Sequence, residues 1–147
     1  MKNGVICAVY SPTYTFFLYF CNVKEERIII ALGSNVHSLR NMRVARMLLS
    51  ELIPGLQFTR NMRTRPIGTE SGAMYLNCLC WGSVTLSESE LRTLLKDVER
   101  ECGNTIEKRQ QGMVEMDVDL LQYGTLRRHE KDWERPYIIT LLKEIEQ

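Results

Sequence analysis

Between Glu115 and Gly124 the chain reads Glu-Met-Asp-Val-Asp-Leu-Leu-Gln-Tyr-Gly. Asp117 and Asp119 alternate with Val118 and Leu120, and Leu121 and Tyr123 follow. A period of two is the signature of a half-buried strand, because successive side chains leave opposite faces of the pleat. Both carboxylates then point the same way. Neighbouring negative charges repel, which is tolerable when both face water or share a cation. Mg²⁺ suits such a pair, since it takes few carboxylates, keeps waters and completes its shell with substrate phosphates. Two readings of these residues stand open: the wet face of an antiparallel sheet, or half of a metal site.

The 147 residues suit one domain with its own core. A net charge of +1 supplies no global field toward nucleic acid or anionic lipid. A phosphate ligand must therefore be held by a local cluster. The five cysteines, Cys7, Cys21, Cys78, Cys80 and Cys102, are odd in number and fit no zinc spacing. They suit a reducing cytosol.

From Val5 to Val23 the chain is apolar and aromatic, but Ser11, Pro12, Thr13 and Thr15 interrupt it and no cleavage site follows. It is too broken for a membrane span. It reads as a strand or hairpin arm, or as a leader over residues 1–24 outside the core; the leader is preferred, with one domain over 25–147.

Arg27 to Leu32 reads as a buried strand ended by the turn residues Gly33-Ser34-Asn35. Ser38 is placed to cap a helix whose apolar stripe is Leu39, Met42, Ala45, Leu48, Leu49 and Leu52, stopped by Pro54-Gly55. Leu56 to Arg63 is a second strand, and the small, polar residues from Thr69 to Ala73 form a mobile loop. Tyr75 to Thr85 is a third strand. Ser87 and Glu90 make a capping box for a helix with Leu91, Leu94, Leu95 and Val98 inward. Residues 104–114 read as a loop. After the aspartate strand come the basic residues Arg127, Arg128, His129 and Lys131, and Pro136 opens a last helix. The order predicts an α+β fold: a ferredoxin-like antiparallel sheet with helices packed on one face.

Four landmarks now stand in order: Ile-Ala-Leu-Gly-Ser-Asn at 30–35, Thr-Arg-Pro-Ile-Gly at 64–68, Tyr-Leu-Asn at 75–77 and Asp-Val-Asp-Leu-Leu-Gln-Tyr-Gly at 117–124. Together they resemble the 6-hydroxymethyl-7,8-dihydropterin pyrophosphokinases of folate biosynthesis, over residues 27–145. The resemblance implies a sandwich of that family's kind. It implies transfer of pyrophosphate from ATP to the hydroxymethyl group of a reduced pterin, with release of AMP. Asp117 and Asp119 would hold Mg²⁺. Thr64, Pro66, Ile67, Asn77 and Tyr137 would bind the pterin, with Tyr137 where the family places a phenylalanine. Glu99, His129 and Arg135 would serve ATP, with Arg135 also catalytic. Read without the resemblance, Tyr137 caps the core, Glu99 is an exposed helix charge, and His129 belongs to a solvated basic turn. Asn35 matches a position near the pterin loop and reads equally as turn chemistry.

The sequence also departs from that pattern. Val114 and Asn104 stand where basic residues are expected, leaving Lys108 and Arg109 nearby as ATP-binding candidates. The connection from Asp119 to His129 is short, which implies a lost strand. Two functional readings follow: an active pyrophosphokinase with substitute cations, or a non-catalytic relative that binds pterin or serves as a binding or regulatory module. Neither nucleic acid nor membrane is an expected partner, and the expected state is a monomer or weak dimer in the cytoplasm.

Overall fold

The computed structural model describes residues 5–7, 19–21, 24–68 and 72–146. Strands β1 (Val5–Cys7) and β2 (Tyr19–Cys21) pair with each other in an antiparallel ribbon. The rest of the expected leader, and residues 69–71 of the expected mobile loop, lie outside the described residues.

The main sheet is built on β3 (Glu26–Ser34). On one side β3 pairs with β6 (Tyr75–Val84), on the other with β7 (Asp117–Tyr123), both antiparallel. Beyond β6 lie β4 (Gln57–Phe58) and β5 (Met62–Thr64), and β8 (Leu126–Arg127) pairs with β7 at the far edge. A two-residue strand therefore stands in the connection where none was expected.

Residues Ile28–Leu32 are all buried because β3 is apolar toward both faces. Ile28, Ile30 and Leu32 pack with Met42, Ala45 and Leu49 of α1 (Ser38–Leu52) and with Leu91, Leu95 and Val98 of α2 (Glu88–Glu101). Ile29 and Ala31 pack with Ile138, Leu141 and Ile145 of α4 (Pro136–Ile145). The expectation of helices on one face is corrected here: two apolar faces need two covers, and α4 supplies the second.

Three local readings change. β3 continues through Gly33 and Ser34, since Gly33 pairs with both Asn77 and Asp117. Ser38 does not cap α1; His37 precedes the helix in the left-handed region, and Leu39 and Leu52 of the expected stripe are 62% and 49% exposed. The strand expected over 56–63 is broken at Thr59, whose hydroxyl accepts from the Leu79 N–H at 3.0 Å and so replaces a ladder acceptor. The capping box of Ser87 and Glu90 is present as read. Residues 104–114 are not plain loop: α3 (Ile106–Gln110) opens on Thr105, whose side chain accepts from the Lys108 N–H. Among the described residues no helix is long and apolar enough to cross a membrane.

Candidate active site

Asp117 opens β7, paired with Gly33 of β3, and Asp119 pairs with Ala31. Asn77 of β6 pairs with Gly33 from the other side. Asn77 and Asp117 therefore flank one glycine on the central strand, about 10 Å apart by strand spacing. A β-bulge leaves Leu121 between the Ile30–Leu120 and Ile29–Gln122 pairs; the leucine packs against α4, and the extra residue brings Tyr123 opposite Ile28.

The same end of the sheet opens into a cavity of about 300 Å³. Its floor is Ala31, Leu32 and Gly33, its far walls are Tyr75 and Asn77 on one side and Asp117 and Asp119 on the other. Thr64 enters from the end of β5, Arg65, Pro66 and Ile67 from the loop that follows, and Arg135 and Tyr137 from the start of α4. Gly33 keeps the floor bare: a Cβ there would sit 3.0 Å from Asn77 Oδ1. Asn77, only 4% exposed, donates from Nδ2 to Thr64 Oγ1 at 2.8 Å. This fixes an amide edge at the wall while leaving further hydrogen-bonding capacity. Tyr137 is half-buried, and burial pushes its phenol above the ordinary range against the opposing effect of Arg135.

The carboxylate pair is electrostatically strained. Burial first, then the charge of Asp117 and a hydrogen bond to it, push Asp119 up to about 6. His129, though outside the cavity lining, acts in the opposite direction on Asp119. Among the described residues no group of three or more acidic, histidine or cysteine side chains could hold a metal. Two carboxylates on one strand face, open to a cavity, still fit Mg²⁺, which takes its other ligands from water and phosphate. Arg135 lines the cavity and pairs with Asp132 at 2.8 Å.

The remaining expected residues lie elsewhere. Glu99 is neither in the cavity nor an exposed helix charge; it is 5% exposed, accepts from the Val118 N–H at 2.9 Å and pairs with Lys96 at 2.8 Å. It braces the aspartate strand from behind. Lys108 is committed to Glu115 at 2.8 Å and to the Gly103 carbonyl at 3.0 Å. Arg109 reaches Asp117 at 3.0 Å. Arg128 pairs with Glu88, and Arg127 stacks on the Trp133 ring, so neither basic residue faces the cavity. Asn35 closes the junction below, donating to the Gly112 carbonyl and accepting from the Val114 N–H.

Sequence reasoning missed Glu115 as a hub. Its buried carboxylate accepts from Asn41 Nδ2 at 2.6 Å and meets His37 Nδ1 at 3.2 Å as well as Lys108. Burial alone would push this carboxyl up, but the bonds from Lys108, Asn41 and His37 hold it at about 2. No local signal marks such a hub, because its partners lie 7, 74 and 78 residues away. Tyr75, Arg65 and Gly33 also line the cavity, and Gly33 was legible only as a turn residue.

The family model for 7,8-dihydro-6-hydroxymethylpterin-pyrophosphokinase matches residues 29–147. A folate synthesis bifunctional protein of Arabidopsis thaliana is 30% identical over 132 residues, covering 82% of this chain and 27% of the relative. A mitochondrial folate synthesis bifunctional protein of Pisum sativum is 31% identical over 134 residues, covering 83% and 25%. The chain thus spans about a quarter of the length of these relatives. The four ordered motifs, the sheet that brings them to one cavity and the match across nearly all of the described core lead to one conclusion: the chain belongs to the 7,8-dihydro-6-hydroxymethylpterin-pyrophosphokinase family.

Proposed function

We propose that this protein transfers pyrophosphate from ATP to the hydroxymethyl group of 6-hydroxymethyl-7,8-dihydropterin, releasing AMP, in folate biosynthesis. The observation that carries the proposal is the single cavity edge shared by an amide wall, Asn77 with Thr64, and a carboxylate pair, Asp117 with Asp119. One side suits a flat heterocycle and the other a metal-bound polyphosphate. Reaction between two bound substrates needs this adjacency, because holding reactants in line supplies much of the rate.

Asp117 and Asp119 would hold Mg²⁺, which when bound supplies charge neutralisation to the phosphates and lowers the barrier to attack by an alcohol. Asn77 orients the pterin edge, Pro66 and Ile67 cover it, and Tyr137 stacks on it from the start of α4. Arg135 sits at the boundary between the two substrates and can meet developing charge on the transferred group. His129 and Arg109 are the remaining basic residues near the aspartates. Glu99 acts indirectly, through the backbone of β7. Lys108 orders α3 through Glu115. A cytoplasmic monomer or weak dimer completes the proposal; Cys78, Cys80 and Cys102, free and buried among the described residues, support the reducing compartment, and fractionation and light scattering test both parts.

A second reading, a relative that binds pterin without catalysis, is favoured by Val114 where a basic residue is expected and by the commitment of Lys108 to Glu115. AMP release from Mg-ATP, with and without the pterin, separates the two. Pterin-dependent AMP supports the enzyme. Pterin binding in calorimetry without AMP supports the binding module. Loss of Mg-ATP binding in Asp117→Ala and Asp119→Ala supports the metal assignment, and unchanged binding in both refutes it.

A further inference from the structure

Arg109 has no place on the cavity wall, yet it holds one of the two carboxylates there. It is the fourth residue of the five-residue α3. Its Nη2 lies 3.0 Å from Asp117 Oδ1 and 3.5 Å from Glu99 Oε2. Asp119 stands beside the pair and feels the charges of both Asp117 and Glu99. Three acidic groups thus converge on the start of β7, and Arg109 bridges two of them. Its position is built: Thr105 caps α3, and Lys108 Nζ is fastened between Glu115 and Gly103, so the next residue is delivered to the aspartate strand. The side chains of Arg109 and Asp117 are 40% and 36% exposed, so the contact can open without unfolding anything.

We infer that Arg109 is an internal counter-ion that occupies Asp117 in place of a divalent cation until nucleotide arrives. The inference rests on the reading of Asp117 and Asp119 as the metal pair. A guanidinium and a metal ion compete for the same carboxylate oxygen. A bare cation must break a charge-assisted hydrogen bond to bind. A cation that arrives with a triphosphate brings acceptor oxygens for the displaced guanidinium, to which an arginine fork is well matched. Metal and nucleotide then bind with positive coupling, and linkage makes that coupling reciprocal. Arg109 is a positioning residue in this scheme, and it sets which form of the cation the site loads.

The test uses the full chain and Mn²⁺, titrated with free Mn²⁺ followed by electron paramagnetic resonance, with and without a non-hydrolysable ATP analogue. Arg109→Gln is expected to bind Mn²⁺ alone about fivefold tighter, the scale of a partly exposed ion pair. It is expected to bind the analogue more weakly, so the coupling falls. Arg109→Lys, which keeps the charge, is expected to lie between. A residue that only packs α3 would not tighten Mn²⁺ binding. Unchanged or weaker Mn²⁺ binding in Arg109→Gln, in a protein whose Mn²⁺ binding is lost in Asp117→Asn, overturns the counter-ion and leaves the metal pair standing. Mn²⁺ binding that survives Asp117→Asn overturns the metal reading and the counter-ion with it.

Discussion

Replacing Asp119 by asparagine should make the metal-free protein more stable at neutral pH. The folded protein holds the Asp119 carboxyl at about 6, against 3.8 ordinarily, because of burial and the neighbouring Asp117 charge. A carboxyl raised on folding favours the fold fully below its unfolded pKa. That contribution disappears as pH rises through the folded value, and at pH 7.5 the ionised group costs the native state. The step from 3.8 to about 6 corresponds to about 3 kcal/mol at 1.36 kcal/mol per pH unit. Partial solvent screening of this half-buried group reduces it to roughly 2 kcal/mol. Asp119→Asn keeps the shape, removes the charge and can donate to Asp117. Thermal unfolding in chelator at pH 7.5 should show a melting temperature higher by roughly 4–8 °C. The advantage should shrink toward pH 4.5, and millimolar Mg²⁺ should stabilise the parent but not the variant. A variant equal to or less stable than its parent at pH 7.5, or an advantage that does not change with pH, would refute the reasoning.

Other perturbations probe other parts of the structure. Gly33→Ala should push the Asn77 amide from its place, since the added Cβ would lie 3.0 Å from Oδ1; calorimetry should show pterin affinity down about tenfold, about 1.4 kcal/mol, with the melting temperature little changed. Glu115 is held at about 2 by its partners. Its contribution should be intact above pH 4.5 and lost as pH falls toward 2. Glu115→Ala should therefore flatten the acid limb of the stability profile, and it should cost roughly 2–4 kcal/mol at pH 7 in denaturant titration. Ser87→Ala removes the hydroxyl half of the capping box at α2, the acceptor of the Glu90 N–H, and leaves the backbone N–H that donates to the Glu90 carboxylate; it should cost about 1 kcal/mol in the same assay, with substrate binding unchanged.

Much of the architecture was legible in the chain because it is written in local pattern. The aspartate strand, the capping box at Ser87, Pro136 opening α4 and the order of the longer strands and helices follow from periodicity and turn chemistry within a few residues. The motif residues Thr64, Pro66, Ile67, Asn77, Asp117, Asp119, Arg135 and Tyr137 were also named from sequence, and the fold gathers all eight around one cavity. Errors arose where a residue's role depends on a distant partner. Gly33 resembles a turn residue until Asn77 and Asp117 pair on either side of it. Thr59 reads as an ordinary strand residue until its hydroxyl meets the Leu79 N–H.

The longer strands and helices, the family and the paired carboxylates could be read from the chain, because period, capping and motif spacing are properties of neighbouring residues. Which charges are free to act depends on contacts made only in the folded protein. Lys108, Arg109, Arg128 and Glu99 are alike in sequence as polar residues on a helix or at a turn. Folding fastens Lys108 to Glu115, Arg128 to Glu88 and Glu99 to the β7 backbone, and leaves Arg109 on Asp117. Electrostatic energy depends on distance and burial, and both are fixed only when strands and helices far apart in the chain come together.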